Sequence, residues 1–286
     1  MTGPYVLTFS CVDAVGIVAA VTGLLAERDG FILDSQQYAD LGSGRFFMRV
    51  EFRGEGARFP AGLAGVHEAF APVIDRFAMD ARISDRAIKP RFVIAVSQGS
   101  HCLNDLLHRW STGNLSIDIA AVVSNHEAQR RLSEWHGVPF HYLPVSDANR
   151  TEQESAILAI MDDAGAEYLV LARYMQVLSQ DLSARLGGRC INIHHSFLPG
   201  FKGAKPYHRA QERGVKLIGA TAHFVTSDLD EGPIIEQAVE RVDHRDSVDE
   251  LIRIGRDTEA QVLARAVRWV AEQRVLIDGR KTVVFR

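Results

Sequence analysis

The chain has 286 residues, 47% hydrophobic and 24% charged, with a formal net charge of −4. At about 150 residues per domain, this length suits two domains with ordinary apolar cores, and the acidic balance offers no basic field to nucleic acid or an anionic membrane. The charge is evenly spread: residues 1–90 carry 9 Lys and Arg against 11 Asp and Glu, and the remainder 23 against 25, so neither end is a charged tail. No apolar run approaches the about 18 residues of a spanning helix. The opening MTGPYVLTFS lacks the cationic-then-apolar order of a secretion signal. Cys11, Cys102 and Cys190 are too few and too scattered for a disulfide scaffold or a CxxC pair. The expectation is a cytoplasmic two-domain enzyme with no nucleic-acid or membrane partner.

Tyr5, Leu7 and Phe9 alternate with Val6, Thr8 and Ser10, the period of a strand. Asp13-Ala14-Val15-Gly16 reads as a turn with Asp13 placed to cap a helix whose apolar face is Ile17, Val21, Leu24 and Leu25. Gly30 is the expected helix stop, and Phe31-Ile32-Leu33 opens a second strand. Gly42-Ser43-Gly44 marks a hairpin turn, after which Phe46, Met48, Val50 and Phe52 alternate with Phe47, Arg49 and Glu51. Leu63, Val66, Phe70 and Val73 outline a second helix, in which Pro72 is expected to bring an end or a kink. Phe77 to Ile83 is the last strand expected here. The order β-α-β-β-α-β over residues 1–85 is the ferredoxin-like plan, with 86–90 as a short linker. The run Asp13-Ala14-Val15-Gly16-Ile17-Val18 and the helix after it resemble an ACT domain, although that family usually has Arg-Pro where this chain has Ala14-Val15. The resemblance implies an amino-acid effector held where the first strand turns into the first helix, at Asp13, Gly16 and Ile17, and pairing of such modules into a homo-oligomer. A purely structural module without a ligand is the alternative.

Residues 91–286 read as an α/β domain. Phe92-Val93-Ile94-Ala95-Val96 is a continuously apolar strand, as expected when both faces are covered. Further strands are expected at 117–123, 139–143, 168–172 and 190–194, with helices beginning near Leu103, after His126 and from Thr151 to Ala164. Strands alternating with helices imply crossovers and a Rossmann-like open parallel sheet, with ligands beyond the carboxyl ends of its strands. The loop Ser97 to His101 has a single glycine and matches neither GxGxxG nor the Walker pattern, so no dinucleotide is inferred. Ser247 to about Arg274 reads as a long helix with Ser247 and Glu250 as a capping box, and Asp278-Gly279 as the turn of a closing hairpin.

The chemistry concentrates at Asn192-Ile193-His194-His195-Ser196. Asn192 and His194 are two apart on a strand and share a face, at the carboxyl end where a site is expected. His195 points elsewhere or starts the loop. Asp230 follows 38 residues after Asn192, before a Gly-Pro turn that would hold an acidic loop in shape. An amide, an imidazole and a carboxylate suit acyl chemistry: the amide donates to a carbonyl oxygen, the imidazole stabilises an oxyanion or moves a proton, and the carboxylate orients the imidazole or activates water. No Ser or Cys stands in a GxSxG elbow, which argues against an acyl-enzyme. His194, His195, His208 and His223 are the candidate metal ligands, but no HxH or HExxH spacing supports a metal.

Asn192-Ile193-His194, Ser196, Leu198-Pro199 and His223-Phe224-Val225-Thr226 through Asp230-Glu231-Gly232-Pro233 resemble the signature of folate-dependent formyltransferases, over roughly residues 91–270. The resemblance implies a formyl group carried on N10 of tetrahydrofolate, Asn192, His194 and Asp230 as the catalytic residues with His223 and His195 in support, and no metal or redox cofactor. It implies a pterin pocket along Leu171 to Leu178, with Tyr174, Met175, Gln176 and Leu178 at the ligand, closed by a loop contributing Val225, Thr226 and Asp228. The ACT-like first domain, His195, and Phe201-Lys202-Gly203-Ala204-Lys205-Pro206-Tyr207-His208 resemble the hydrolytic, deformylase branch, in which water replaces the amine acceptor. The implied reaction releases tetrahydrofolate and formate, which feeds purine synthesis. A formyltransferase using an amine such as glycinamide ribonucleotide is the alternative, and a folate-binding regulator without turnover is a further one. Arg173, Lys202 and Lys205 are expected to be solvated rather than bound to a folate glutamate tail.

Overall fold

The computed structural model of the chain describes residues 3–198 and 206–286. It divides into two compact units, residues 1–89 with 272–278 and 283–286, and residues 90–271 with 279–282.

In the first unit, β1 (Tyr5–Val12), α1 (Ile17–Glu27), β2 (Gly30–Asp40), β3 (Arg45–Gly54), α2 (Gly62–Arg76) and β4 (Asp80–Asp85) follow the order read from the sequence. The strands form an antiparallel sheet in the order β2-β3-β1-β4, with a core of Leu7, Phe9, Met48 and Phe52 against Ile17, Val21, Leu25 and Phe70. Local details differ from expectation. Gly16, at φ 95°, occupies the cap position of α1, and no side chain caps the helix, so Asp13 is not the cap. Ile17 is 2% exposed in the core, so only Asp13 and Gly16 of the expected effector residues are open to solvent. Asp29, at φ 54°, takes the left-handed position after α1, and Gly30 already opens β2. α2 runs through Pro72 to Arg76, because Pro72 faces solvent and the carbonyl deprived of its partner can be hydrated. Ala78 turns the chain at φ 45°, so the last strand starts at Asp80 rather than Phe77.

The second unit contains β5 (Arg91–Val96), α3 (His101–Ser111), β6 (Asp118–Ser124), a 3-10 turn (Glu127–Gln129), α4 (Arg130–Trp135), β7 (Phe140–Tyr142), α5 (Arg150–Asp163) and β8 (Tyr168–Leu171). It continues with α6 (Gln180–Arg185), β9 (Cys190–His194), α7 (Pro206–Glu212), β10 (Leu217–Phe224), β11 (Ile234–Arg241) and α8 (Val248–Ala271). Its seven-stranded sheet has the order β11-β10-β9-β8-β5-β6-β7. The five strands from β9 to β7 are parallel, as expected, but β10 runs antiparallel to both of its neighbours, β9 and β11, and corrects the expectation of a wholly parallel sheet. A hairpin needs no crossover helix, and the buried face-filling residues Gly219, Ala220, Thr221 and Ala222 hide the alternation by which β10 would be recognised. Among the described residues, no helix is long and apolar enough to cross a membrane.

The chain ends in a hairpin of β12 (Val275–Asp278) and β13 (Lys281–Val284), turned by Gly279 at φ 61°. Most of this hairpin groups with the first unit, not with the second as the 91–286 boundary would have it. The reason is a set of bonds to β3 and β4. Arg49, 0% exposed, donates to the Glu272 carbonyl (3.3 Å), to Asp34 (3.0 Å) and to Glu51 (2.8 Å), and Gln273 bonds to Ser84.

Candidate active site

β8 and β9 end side by side, and β10 flanks β9 in a register that sets His223 opposite Asn192 and Thr221 opposite His194. Asn192 and His194, two apart, therefore face one cavity together with His223. The hairpin connection from β10 to β11 brings in Asp230. Its backbone adopts a left-handed φ of 58°, in a turn closed by the Glu231 amide donating to the Asp228 carbonyl. Gly232 is required there, because a Cβ at that position would lie 1.7 Å from the Phe224 carbonyl oxygen. The cavity has a volume of about 330 Å³. Asn192, His194, Asp230, His195, His223, Tyr174, Met175, Gln176, Leu178, Val225, Thr226 and Asp228 all line it. Tyr174 is 6% exposed and its hydroxyl bonds to Gln153 Nε2 (2.6 Å), so its ring is largely wall and core.

The polar groups are fixed in orientation. His223 Nδ1 donates to the Phe224 carbonyl (2.9 Å), which leaves Nε2 as the acceptor for Asn192 Nδ2 (3.2 Å). Burial pushes His223 below the usual histidine range, which keeps it neutral in this role. Asn192 retains a second amide N–H for a ligand. His194 Nδ1 stands 3.2 Å from Asp230 Oδ1, while its Nε2 is buried and has no partner among the described residues. Burial alone would raise the Asp230 carboxyl, but the hydrogen bond from His194 holds it below its ordinary range. The site thus carries an ionised carboxylate at neutral pH beside two imidazoles and an oriented amide, an arrangement suited to stabilising an oxyanion while a water is deprotonated.

His195 starts the loop after β9, and its ring stacks on His194 with centroids 4.9 Å apart and planes at 18°. This loop is pinned from below. Thr221 Oγ1 accepts from the Leu198 amide and from Gln237, and donates to the Ser196 carbonyl. Lys202 and Lys205, and the stretch Phe201 to Lys205 of the deformylase-like wording, lie outside the described residues.

Arg173 corrects the expectation of a solvated side chain. At φ 63° it turns the chain after β8 and directs its guanidinium to Glu259 Oε2 (3.3 Å) and His195 Nδ1 (2.6 Å). Glu259, 1% exposed on α8, also bonds to His101 Nε2 (2.8 Å) and Tyr207 OH (2.8 Å). Beyond Arg173, Met175 and His195 opens a second cavity of about 500 Å³, reaching Ser97, Gln98 and Arg256. Ser97 Oγ accepts from the Met175 amide (2.9 Å), tying the loop after β5 to the loop after β8. Sequence reasoning named Ser97 only as the start of a loop and Tyr207 only within the deformylase-like wording, and missed Glu259. The one available signal was a carboxylate in the apolar stripe of the long helix, between Gly255 and Val262.

Among the described residues, the grouping that offers metal-ligand spacing is His101, Cys102 and Glu259. It does not fit a metal: burial pushes the Cys102 thiol well up, Glu259 is already engaged by three donors, and the Arg173 charge stands beside it. Of the expected metal candidates, His194, His195 and His223 meet at the first cavity, whereas His208 is exposed on α7 and lines neither cavity.

The formyl transferase family model matches residues 90–267. A formyltetrahydrofolate deformylase of a Corynebacterium species is 49% identical over 282 residues, covering 99% of this chain and 98% of that one. The crystal structure of a formyltetrahydrofolate deformylase from Pseudomonas syringae pv. tomato is 48% identical and superposes with a TM-score of 0.96, covering 100% of this chain and 95% of that one. A glycinamide ribonucleotide transformylase from Symbiobacterium toebii, 30% identical with a TM-score of 0.65, covers 69% of this chain and 95% of its own. The chain belongs to the formyl transferase family and, along its whole length, to its formyltetrahydrofolate deformylases.

Proposed function

We propose that the protein hydrolyses 10-formyltetrahydrofolate to tetrahydrofolate and formate. The observation that carries the reading is the convergence of Asn192, His194 and the ionised Asp230 on one cavity, in a chain whose full-length relatives are named deformylases. The free amide N–H of Asn192 is placed to donate to the formyl oxygen as it becomes an oxyanion, and His194, whose Nδ1 faces the Asp230 carboxylate, presents Nε2 as a proton acceptor in the same cavity. Asp230 draws a proton from water, whose oxygen forms the new bond to the formyl carbon. The C–N10 bond breaks as N10 takes a proton, so atoms balance as one water consumed and one formate released. No electron changes hands, and a carboxylate with two imidazoles supplies the proton transfers, so neither a metal nor a redox cofactor is called for. The pterin ring is proposed to lie along 174–178 and 225–230, where main-chain groups and apolar side chains share the cavity wall.

The first unit is proposed as an ACT-like regulatory module. Its β-α-β-β-α-β order and the solvent-open turn at Asp13 and Gly16 support an amino-acid effector there, and pairing of such modules would make the protein a homo-oligomer. A cytoplasmic site of action and a supply of formate to purine synthesis belong to the same reading, supported by the folate substrate it assigns.

Incubation with 10-formyltetrahydrofolate and no acceptor tests the central reading. Catalytic release of formate and tetrahydrofolate in equal amounts is expected. Release that begins only when an amine acceptor is added would make the protein a transferase.

A further inference from the structure

We propose that Arg173 is a positioning residue for this hydrolysis: it fixes His195 as a neutral imidazole whose Nε2–H faces the reaction cavity beside His194 and donates to the developing oxyanion. The inference rests on the hydrolytic reading for its kinetics and on geometry for its first half. A guanidinium carries donors only. The 2.6 Å contact from Arg173 Nη1 therefore makes His195 Nδ1 an acceptor, and the single ring proton must sit on Nε2. That Nε2 is buried and has no partner among the described residues, as is Nε2 of His194 on the ring stacked against it. Both rings line the cavity that holds Asn192 and Asp230.

The arrangement is built rather than incidental. Arg173 stands at φ 63°, a conformation that a residue with a side chain adopts at a cost. The surroundings enforce it, because Glu259 holds the guanidinium from behind and is itself held by His101 and Tyr207. The charged and titratable groups around His195 are Arg173 from the loop after β8, His194 from β9, Asp230 from the loop after β10 and Glu259 from α8, with the Tyr207 ring 6.5 Å away on α7. Burial, then the charges of Arg173 and His194, outweigh the two carboxylates and push His195 down to about 4, so the ring stays neutral through the physiological range. Arg173 lines the second cavity as well, together with Met175 and His195.

The test is a mutant cycle on the full-length protein with 10-formyltetrahydrofolate as substrate. H195A should lower kcat about 100-fold with little change in KM, the loss typical of an oxyanion donor. H195Q, whose side-chain amide places an N–H near the former Nε2–H, should recover all but about fivefold. R173Q should cost roughly tenfold or more in kcat alone and less than about twofold in the H195Q background, because the glutamine needs no tautomer fixed. An equal loss from R173Q in both backgrounds, or a fully active H195A, would overturn the proposal. A second readout needs neither variant nor turnover. Long-range 15N–1H spectra of the wild-type imidazoles should show His195 neutral and protonated at Nε2 at neutral pH. A proton on Nδ1, or a doubly protonated ring there, would overturn the assignment. The spectra also separate its failure from that of the hydrolytic reading, since the latter fails in wild-type formate release and leaves the tautomer untouched.

Discussion

At the scale of single residues, the site fixes protons. Asn192 has a definite orientation because His223 accepts one of its amide hydrogens, and His223 can accept because its own Nδ1–H is committed to the Phe224 carbonyl. Removing the amide should remove an oxyanion donor, worth about 2.7–4 kcal/mol in comparable sites. Asn192→Ala should therefore lower kcat roughly 100- to 1000-fold with KM almost unchanged; a loss confined to KM would place Asn192 in ground-state binding instead. His195 makes a second prediction, on stability. Its folded value of about 4 lies below the 6.5 of the free side chain, so between these the unfolded chain holds a proton that the folded one refuses. Stability is complete above the unfolded value and declines as pH falls toward the folded one, by about 2 kcal/mol between about pH 7 and pH 5. Urea unfolding should show this slope in the wild type and a smaller one in H195Q; identical slopes would refute it.

At the scale of elements, the hairpin of β10 and β11 decides the site. It places His223 opposite Asn192 by register and carries Asp230 in its connection. The connection closes against β10 so tightly that Gly232 has no room for a methyl group, its Cβ falling 1.7 Å from the Phe224 oxygen that also accepts from His223. Gly232→Ala should cost about 2–4 kcal/mol in thermal unfolding and displace His223 and Asp230 together. Turnover should fall with it even at temperatures where the variant is folded. A folded variant with unaltered kcat would show that the loop's shape is not what holds the carboxylate. The convergence of Asn192, His194 and Asp230 was legible in this region, since the three stood out by residue type and order. The hairpin itself was not, because the buried middle of β10, built of Gly, Ala and Thr, carries no polar alternation.

At the scale of the whole molecule, the chain closes its first unit with its last residues. Arg49 is fully buried between Asp34 and Glu51 and takes its third acceptor from Glu272. Truncation after Ala271 would leave part of that guanidinium unsatisfied and uncover the strand beside it, a change worth about 1–3 kcal/mol for the lost charged hydrogen bond alone. Proteolysis or urea unfolding should find residues 1–89 less stable in the truncated chain, and an unchanged midpoint would show that the hairpin contributes nothing to that unit.

The order β-α-β-β-α-β, the five parallel strands and the amide–imidazole–carboxylate trio were all fixed by local pattern: periodicity of apolar residues, turn glycines and the chemistry of three side chains. The sequence could not determine which distant groups would share a buried space. Glu259 is 86 residues from Arg173, and Glu272 is 223 residues from Arg49. Nor could it reveal that Arg173 and Asp230 hold left-handed backbones. A buried charge is tolerable only when its partner is brought to it. That partner is chosen by packing across the sheet and helices, so the proton positions of His195 and His223 were decided only when the tertiary fold closed.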